Sequence, residues 1–273
     1  MGSGTEGTIE DTTVGVLNDW FAAYVGTFKG KDGTADGNIL LKEEHTRRVR
    51  QEILAIGRAL DLSDDDLRLA NVIALFHDIG RFEQYARYGT FVDRRSCNHA
   101  ELGVSILERE GILDHCDPST GGLILRTIRY HNRAELPREE TKRCLFFSRL
   151  LRDADKMDIW RVVTDYYHRH EETRNEALEL DLPDSPGFSD GVYGDLINER
   201  IVDIRNVRSL NDFKLLQVGW VFDLNFDPTV RFLCARGYLD KIRDVLPASE
   251  KIDEIFSAVG SYIDRRLQQA DHR

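Results

Sequence analysis

The chain has 273 residues, enough for one large domain or two small ones around a substantial buried core. Its formal net charge of -11 argues against binding an extended nucleic acid, which draws its affinity from a basic surface, but leaves room for a small anionic ligand. The four cysteines are scattered and form no Cys-x-x-Cys pair, so neither a disulfide framework nor a thiolate zinc site is expected.

The N-terminal segment is small, polar and acidic, and it lacks the positive and apolar regions of a secretory signal. No stretch of the sequence approaches the roughly 18 apolar residues that span a bilayer. Together with the cysteine usage, these features predict a cytoplasmic protein without a membrane partner.

Helical periodicity dominates from about residue 40 onward, and strand-like alternation is scarce, so the sequence predicts an all-α fold. The first two helices are expected at residues 40–60 and 63–78. Ser63 is predicted to cap the second helix with Asp66 as its capping partner.

Gly80 lies where the second helix is expected to end, and a polar connector is expected from there to Arg95. The next helices are predicted at about residues 96–110, at 119–132, and from about 139 to past 160.

Prolines and glycines among acidic residues predict a loop at residues 180–195. Four amphipathic helices are expected after it, at residues 196–206, 211–226, 228–246 and 250–267. The preferred organisation is one all-α domain over residues 1–273, in which the C-terminal helices (about 195–270) pack on the earlier ones. Two lobes are the alternative.

Five of the predicted helices carry ionisable side chains on apolar faces. His45, for example, shares a helical row with Val49 and Ile53. The inward-facing set is His45, His77, Asp78, His99, His131 and Asp155. Burying such groups without partners costs several kcal/mol. A lone inward histidine is usually a hydrogen-bonded core residue, but convergence from five helices favours one or two divalent cations.

Nitrogen and oxygen ligands without thiolate suit manganese, iron, cobalt, nickel, zinc or, with water, magnesium. Because structural zinc sites favour cysteine, a histidine and carboxylate set indicates a catalytic centre rather than an architectural one.

The order of these residues is similar to that of the HD-domain superfamily of metal-dependent phosphohydrolases. The segments HDIGRF and RDADKMD resemble its two most recognisable motifs, and NHAELG and RYHN complete the six-ligand pattern of its two-metal branch. The resemblance covers an HD core at about residues 40–165.

The resemblance implies an all-α helical bundle that holds two divalent metal ions centrally. One ion would be bound by His45, His77, Asp78 and Asp155. His99 and His131 would bind the second, and Asp78 would bridge both.

The implied activity is hydrolysis of a phosphate ester, a nucleotide or another small phosphorylated metabolite, by a metal-activated water. Asp78 would orient that water, and Arg81 and Lys156 would hold the phosphate. Arg81 replaces a lysine that is frequent in the family. Asp153 and Asp158 are expected to be solvent-exposed, and the alternative is that one of them supports a metal ligand through a hydrogen bond.

The glycine-tyrosine-proline signature of cyclic di-nucleotide phosphodiesterases is absent after HDIG, which argues against that substrate. The chemical alternative to a hydrolase is a di-iron oxygenase, because a smaller branch of the superfamily has the same six ligands. A non-catalytic sensor that keeps its metals is the third alternative. The sequence does not determine the substrate, the metal or the oligomeric state.

Overall fold

A computed structural model describes residues 8–30, 37–169, 179–180 and 182–272. These residues form α-helices, short 3-10 turns and loops, with no strand among them, so the all-α prediction is confirmed. The chain divides into two compact units, Met1–Asp155 and Lys156–Arg273. The prediction of a single domain over the whole chain stays a prediction.

The first unit is built from helices that surround the candidate site. They are α1 (Asp11–Gly26), α2 (Gly37–Ala59), α3 (Asp64–Phe76), α4 (Ile79–Tyr88), α5 (His99–Glu110), α6 (Pro118–Tyr130) and the start of α7 (Lys142–His168). Helix α3 packs against α1, α2 and α6, while α5 packs against α4 and α6. This packing brings the ends of α3, α4, α5 and α6 into one region.

The predicted start of α3 is confirmed. The Oγ of Ser63 accepts a hydrogen bond from the backbone N–H of Asp66 at 3.2 Å. Asp64, Asp65 and Asp66 lie in the first turn, where their charges interact favourably with the partial positive charge of the helix N-terminus.

The prediction that Gly80 ends a helix is wrong. Gly80 is the second residue of α4, which occupies most of the segment expected to be a polar connector. A Cβ atom at Gly80 would overlap the carbonyl oxygen of His99 and lie 2.7 Å from the backbone nitrogen of Gly103. Glycine is therefore needed for the close approach of α4 and α5. Helix α4 instead ends at Tyr88, and Gly89, which caps its C-terminus, has a φ of 64°.

Helix α1 precedes the segment from about residue 40 onward in which the sequence predicts helices. Its buried face contains Leu17, Phe21 and Val25. The Phe21 ring packs edge-to-face on Phe82 of α4, with a centroid distance of 6.0 Å. Helix α1 thus contributes to the core of the first unit.

The second unit contains the end of α7 and a group of shorter helices. They are α8 (Asp190–Ile197), α9 (Leu210–Gly219), α10 (Asp227–Ala235), α11 (Tyr238–Asp244) and α12 (Glu250–Asp271). Trp160 lies fully buried in the core of this unit, and its indole N–H donates to the carbonyl oxygen of Gln217 at 3.0 Å. Helix α12 packs against α8 and α10.

Several helix bounds in the second unit differ from the predicted ones. The loop expected at residues 180–195 ends at Asp190, where α8 begins; residue 181 lies outside the described part of the chain. The helix expected at 196–206 is largely a loop, because α8 stops at Ile197 and Glu199 has a φ of 54°. Gly237, with a φ of 61°, divides the helix expected at 228–246 into α10 and α11.

Among the described residues, no helix combines the length and the apolar character needed to cross a membrane.

Candidate metal centre

Six ionisable side chains of the first unit meet where several of its helices begin or end. They are His45, His77, Asp78, His99, His131 and Asp155. His77 follows the last residue of α3, and Asp78 precedes the first residue of α4. His99 opens α5, and His131 follows the last residue of α6. The sequence placed these residues on apolar faces, and five of them are buried, while Asp155 is partly exposed.

The first group consists of His45, His77 and Asp155. The Nε2 of His45 lies 3.1 Å from Asp155 Oδ1 and 3.3 Å from the Nε2 of His77. The distance from His77 Nε2 to Asp155 Oδ1 is 4.0 Å. Three potential ligand atoms thus face a common point.

The second group consists of Asp78, His99 and His131. The two histidine Nε2 atoms are 3.0 Å apart. Asp78 Oδ1 lies 3.4 Å from the Nε2 of His99 and 3.8 Å from that of His131.

Asp78 lies between the two groups, and each of its carboxylate oxygens faces a different one. Oδ1 faces His99 and His131, as above. Oδ2 lies 3.6 Å from His45 Nε2 and 3.8 Å from His77 Nε2. Although Asp78 is the N-cap residue of α4, its side chain makes no capping hydrogen bond. Its two carboxylate oxygens are therefore directed at the two groups and not at the N-terminus of α4.

The hydrogen bonds of the histidines fit ligands of a cation. The Nδ1 of His77 lies 2.8 Å from the Ala74 carbonyl oxygen, and the Nδ1 of His131 lies 2.6 Å from that of Ile128. The Nδ1 of His99 faces the Asp93 carboxylate at 2.8 Å. Since each of these acceptors requires a proton on Nδ1, the Nε2 of each neutral ring presents a lone pair.

The Nε2 atoms of His99 and His131 face each other at 3.0 Å. When both rings are neutral with the proton on Nδ1, neither Nε2 carries a proton and their lone pairs repel each other. A cation between them removes this repulsion. Two ligand atoms at about 2.1 Å from a metal and at right angles to each other are about 3 Å apart. The donor set thus fits divalent metal ions in both chemistry and spacing.

Burial favours the neutral form of His77 and His99, and Asp78 and Asp155 remain charged. Burial lowers the pKa of His77 and of His99 to about 4, although nearby carboxylates partly oppose this effect. For Asp78 burial raises the pKa, but Lys42, His77 and other neighbours outweigh it and hold the pKa well below its usual range. The pKa of Asp155 is likewise lowered, against burial, chiefly by His45. These are the protonation states that metal ligation requires.

These pKa shifts predict how the metal-free protein responds to acid. Between pH 6.5 and about 4 the unfolded chain protonates His77 and His99, whereas the folded chain does not. Because the unfolded state binds more protons, stability should fall as the pH drops through this window. Thermal melts of chelator-treated protein should show a falling Tm from pH 7 to pH 4.

The variant His99→Gln should flatten that profile, whereas His115→Gln, at an exposed turn, should not. A Tm of the metal-free wild type that stays constant or rises as the pH is lowered to 4 would contradict the assignment of neutral, buried histidines.

Arg81 lies near Asp78, and its guanidinium group contacts the protein. Its Nη1 lies 2.9 Å from Asp93 Oδ1 and 2.5 Å from the Phe91 carbonyl oxygen. Its Nε is 3.5 Å from Asp78 Oδ1. A direct role of Arg81 in holding phosphate stays a prediction.

Lys156 belongs to the second unit, where its Nζ forms an ion pair with Asp223 Oδ2 at 2.7 Å. Its role in holding phosphate also stays a prediction.

The expectation that Asp153 and Asp158 are solvent-exposed is wrong, because both are fully buried. On α7 they lie two residues before and three residues after Asp155, and the packing around the helix covers these positions as well.

Two residues that the sequence did not single out lie next to the candidate ligands. Lys42 Nζ forms an ion pair with Asp78 Oδ2 at 2.8 Å, and its side chain is 18% exposed. Lys42 precedes His45 by three residues, so helical spacing alone places it on the same face of α2. Asp93, the partner of His99, lies in a 3-10 turn between α4 and α5, where no periodicity indicates its direction.

Comparison of the sequence with known protein families gives one match. Residues 43–160 match the family model described as the HD domain. This segment is less than half of the chain, and it includes all six candidate ligands. No curated protein and no solved structure matches the chain.

Proposed function

Residues 43–160 belong to the HD domain family, which consists mostly of metal-dependent hydrolases, and from this premise we propose that the protein is a metal-dependent phosphohydrolase. Its substrate is a nucleotide or another small phosphate ester. The observation that carries the proposal is the position of Asp78, with one carboxylate oxygen toward each of two histidine pairs.

In this proposal the six side chains would hold two divalent cations. His45, His77, Asp78 and Asp155 would hold one of them. His99 and His131 would hold the other, together with Asp78. When bound, the cations would supply a water with a pKa near 7 and would neutralise the negative charge of the phosphoryl group.

The protein side chains orient the reactants. Asp78 fixes the attacking water between the two groups, because both of its oxygens face the site. Lys42 holds the phosphoryl oxygens, since its ammonium group lies 2.8 Å from Asp78 and keeps partial access to solvent. A lysine ammonium is a suitable point charge for this role.

The alternative activity is that of a di-iron oxygenase, which uses the same ligands. Two cationic side chains, those of Lys42 and Arg81, lie next to Asp78 and favour an anionic phosphate substrate instead. A hydrolase requires only Lewis acidity, whereas an oxygenase requires iron that changes its valence. The two activities therefore differ in their dependence on dioxygen and on the metal.

We expect the purified protein to release phosphate from a nucleotide or a related ester in the absence of dioxygen. Activity should survive replacement of iron by manganese, and water labelled with oxygen-18 should place its label in the phosphate product. Mass spectrometry of the released phosphate measures this, with chelator-treated protein as the inactive control.

A strict requirement for iron and dioxygen, with label from the gas in an organic product, would instead identify an oxygenase. A protein that binds metal but turns over none of the nucleotides and related phosphate esters tested would favour the third alternative, a non-catalytic sensor.

A further inference from the structure

We propose that Arg81 and Asp93 are positioning residues that fix the orientation of His99 and thereby set the metal affinity of the second group. In this role Arg81 acts through Asp93 and does not contact the substrate. The inference rests on the proposed function in one respect, namely that His99 binds a metal ion.

The first step is the contact between Asp93 and His99. Asp93 Oδ1 and Oδ2 lie 3.0 and 2.8 Å from the Nδ1 of His99. This carboxylate fixes the proton on Nδ1 and turns Nε2 toward Asp78 and His131. A carboxylate partner also makes a histidine more basic as a ligand.

Asp93 differs in this respect from the partners of the neighbouring histidines. His77 and His131 bond through Nδ1 to carbonyl oxygens of their own helices, three residues earlier in the chain. Those contacts persist as long as α3 and α6 are folded. The orientation of His99 depends instead on a side chain from the connector between α4 and α5.

The second step is the network that holds Asp93 in place. Arg81 Nη1 lies within hydrogen-bonding distance of Asp93 Oδ1, the Phe91 carbonyl oxygen and the Gln84 side-chain oxygen. Gln84 is fully buried, and its amide nitrogen lies 2.9 Å from Asp93 Oδ1 and from the carbonyl oxygen of Cys97. Helix α4 thus anchors the connector through two side chains.

The contacts of the Arg81 side chain favour a role in positioning Asp93 over a role in binding phosphate. Its side chain is only 16% exposed, and its guanidinium group is directed toward the connector. A planar guanidinium can bond several acceptors at fixed angles, whereas a lysine ammonium cannot reproduce that arrangement. Replacement of Arg81 by lysine therefore keeps the charge that a phosphate contact needs and removes the anchoring of Asp93.

The network also reaches the other histidine of the second group. Asn132, which follows His131, donates from its side-chain nitrogen to Asn98 Oδ1 at 3.0 Å and lies 3.4 Å from Asp93 Oδ2. Loss of the Asp93 charge should consequently affect the second group and leave the first group of His45, His77 and Asp155 largely unchanged.

The test is titration of metal-free protein with Mn²⁺, monitored by calorimetry and by electron paramagnetic resonance. For Asp93→Asn and for Arg81→Lys we expect the affinity of one of the two ions to fall about 10- to 100-fold, with the other within about twofold of wild type. The spectrum of an exchange-coupled manganese pair should weaken accordingly. His99→Ala serves as the reference for loss of the second ion.

Glu101→Gln is the matched control, because Glu101 lies two residues after His99 but pairs with Arg129 and Arg133 at the surface. It should bind both ions like the wild type. The unchanged affinity of the first ion in each variant shows that the fold is intact.

Wild-type affinity for both ions in Asp93→Asn and in Arg81→Lys would overturn the inference. So would a raised KM for a phosphate ester in Arg81→Lys with both affinities unchanged, because Arg81 would then contact the substrate. A wild-type protein that binds no second ion overturns it as well. Two bound ions without release of phosphate would instead overturn only the proposed activity, and the affinities of the variants would still decide the inference.

Discussion

Replacement of Asp78 by asparagine should lower turnover by at least two to three orders of magnitude while the protein remains folded. Asparagine keeps the volume but has one carbonyl oxygen in place of two anionic oxygens, so it cannot bridge the two groups that Asp78 faces. The substitution also removes the partner of Lys42. We expect partial loss of metal together with loss of the oriented water.

Steady-state kinetics with a phosphate ester and elemental analysis of the bound metal measure these effects. Asp64→Asn is the matched control, because Asp64 is an exposed carboxylate in the first turn of α3. It should retain wild-type turnover and metal content. An Asp78→Asn variant that turns over at the wild-type rate would rule out a metal-dependent hydrolase built on this residue.

Replacement of Gly80 by alanine should destabilise the first unit and weaken metal binding together. The added Cβ would overlap the carbonyl oxygen of His99 and lie 2.7 Å from the backbone nitrogen of Gly103. Both atoms belong to the backbone, so no side-chain rotation relieves the overlap, and α4 must move away from α5. Such overpacking typically costs about 1–3 kcal/mol, and more where backbone has to shift.

The same movement displaces His99 from Asp78, so metal affinity should fall with stability. Urea unfolding and Mn²⁺ titration measure the two effects. Gly15→Ala in α1 is the matched control, because nothing lies within 4 Å of its added Cβ. It should leave metal binding unchanged and stabilise the protein by up to about 1 kcal/mol. If Gly80→Ala unfolds at the wild-type urea concentration and binds metal normally, the close approach of α4 and α5 does not hold the site together.

The sequence predicted the convergence of the six side chains because each lies on an apolar helical row, and burial of an ionisable group requires a partner. The positions of His45 and Asp155 follow from periodicity within long helices, and that of His77 follows from the end of α3. The expected grouping of these residues around two metals comes from the resemblance to the HD-domain superfamily, because periodicity alone does not give it.

What the sequence did not predict depends on tertiary contacts. Glycine at position 80 predicts a helix end, since glycine is common there, but the close packing of two backbones also requires glycine. Asp93 lies in an irregular connector, so its direction toward His99 could not be predicted. Asp153 and Asp158 flank a partly exposed residue on α7, yet the packing of other elements buries them.

The most direct test of the account is a crystal structure of the manganese-loaded protein with anomalous diffraction data. The account predicts two anomalous peaks per chain, one bounded by His45, His77 and Asp155, the other by His99 and His131, with Asp78 between them. The absence of anomalous density among these residues in active, manganese-loaded protein, or peaks only elsewhere on the chain, would contradict it.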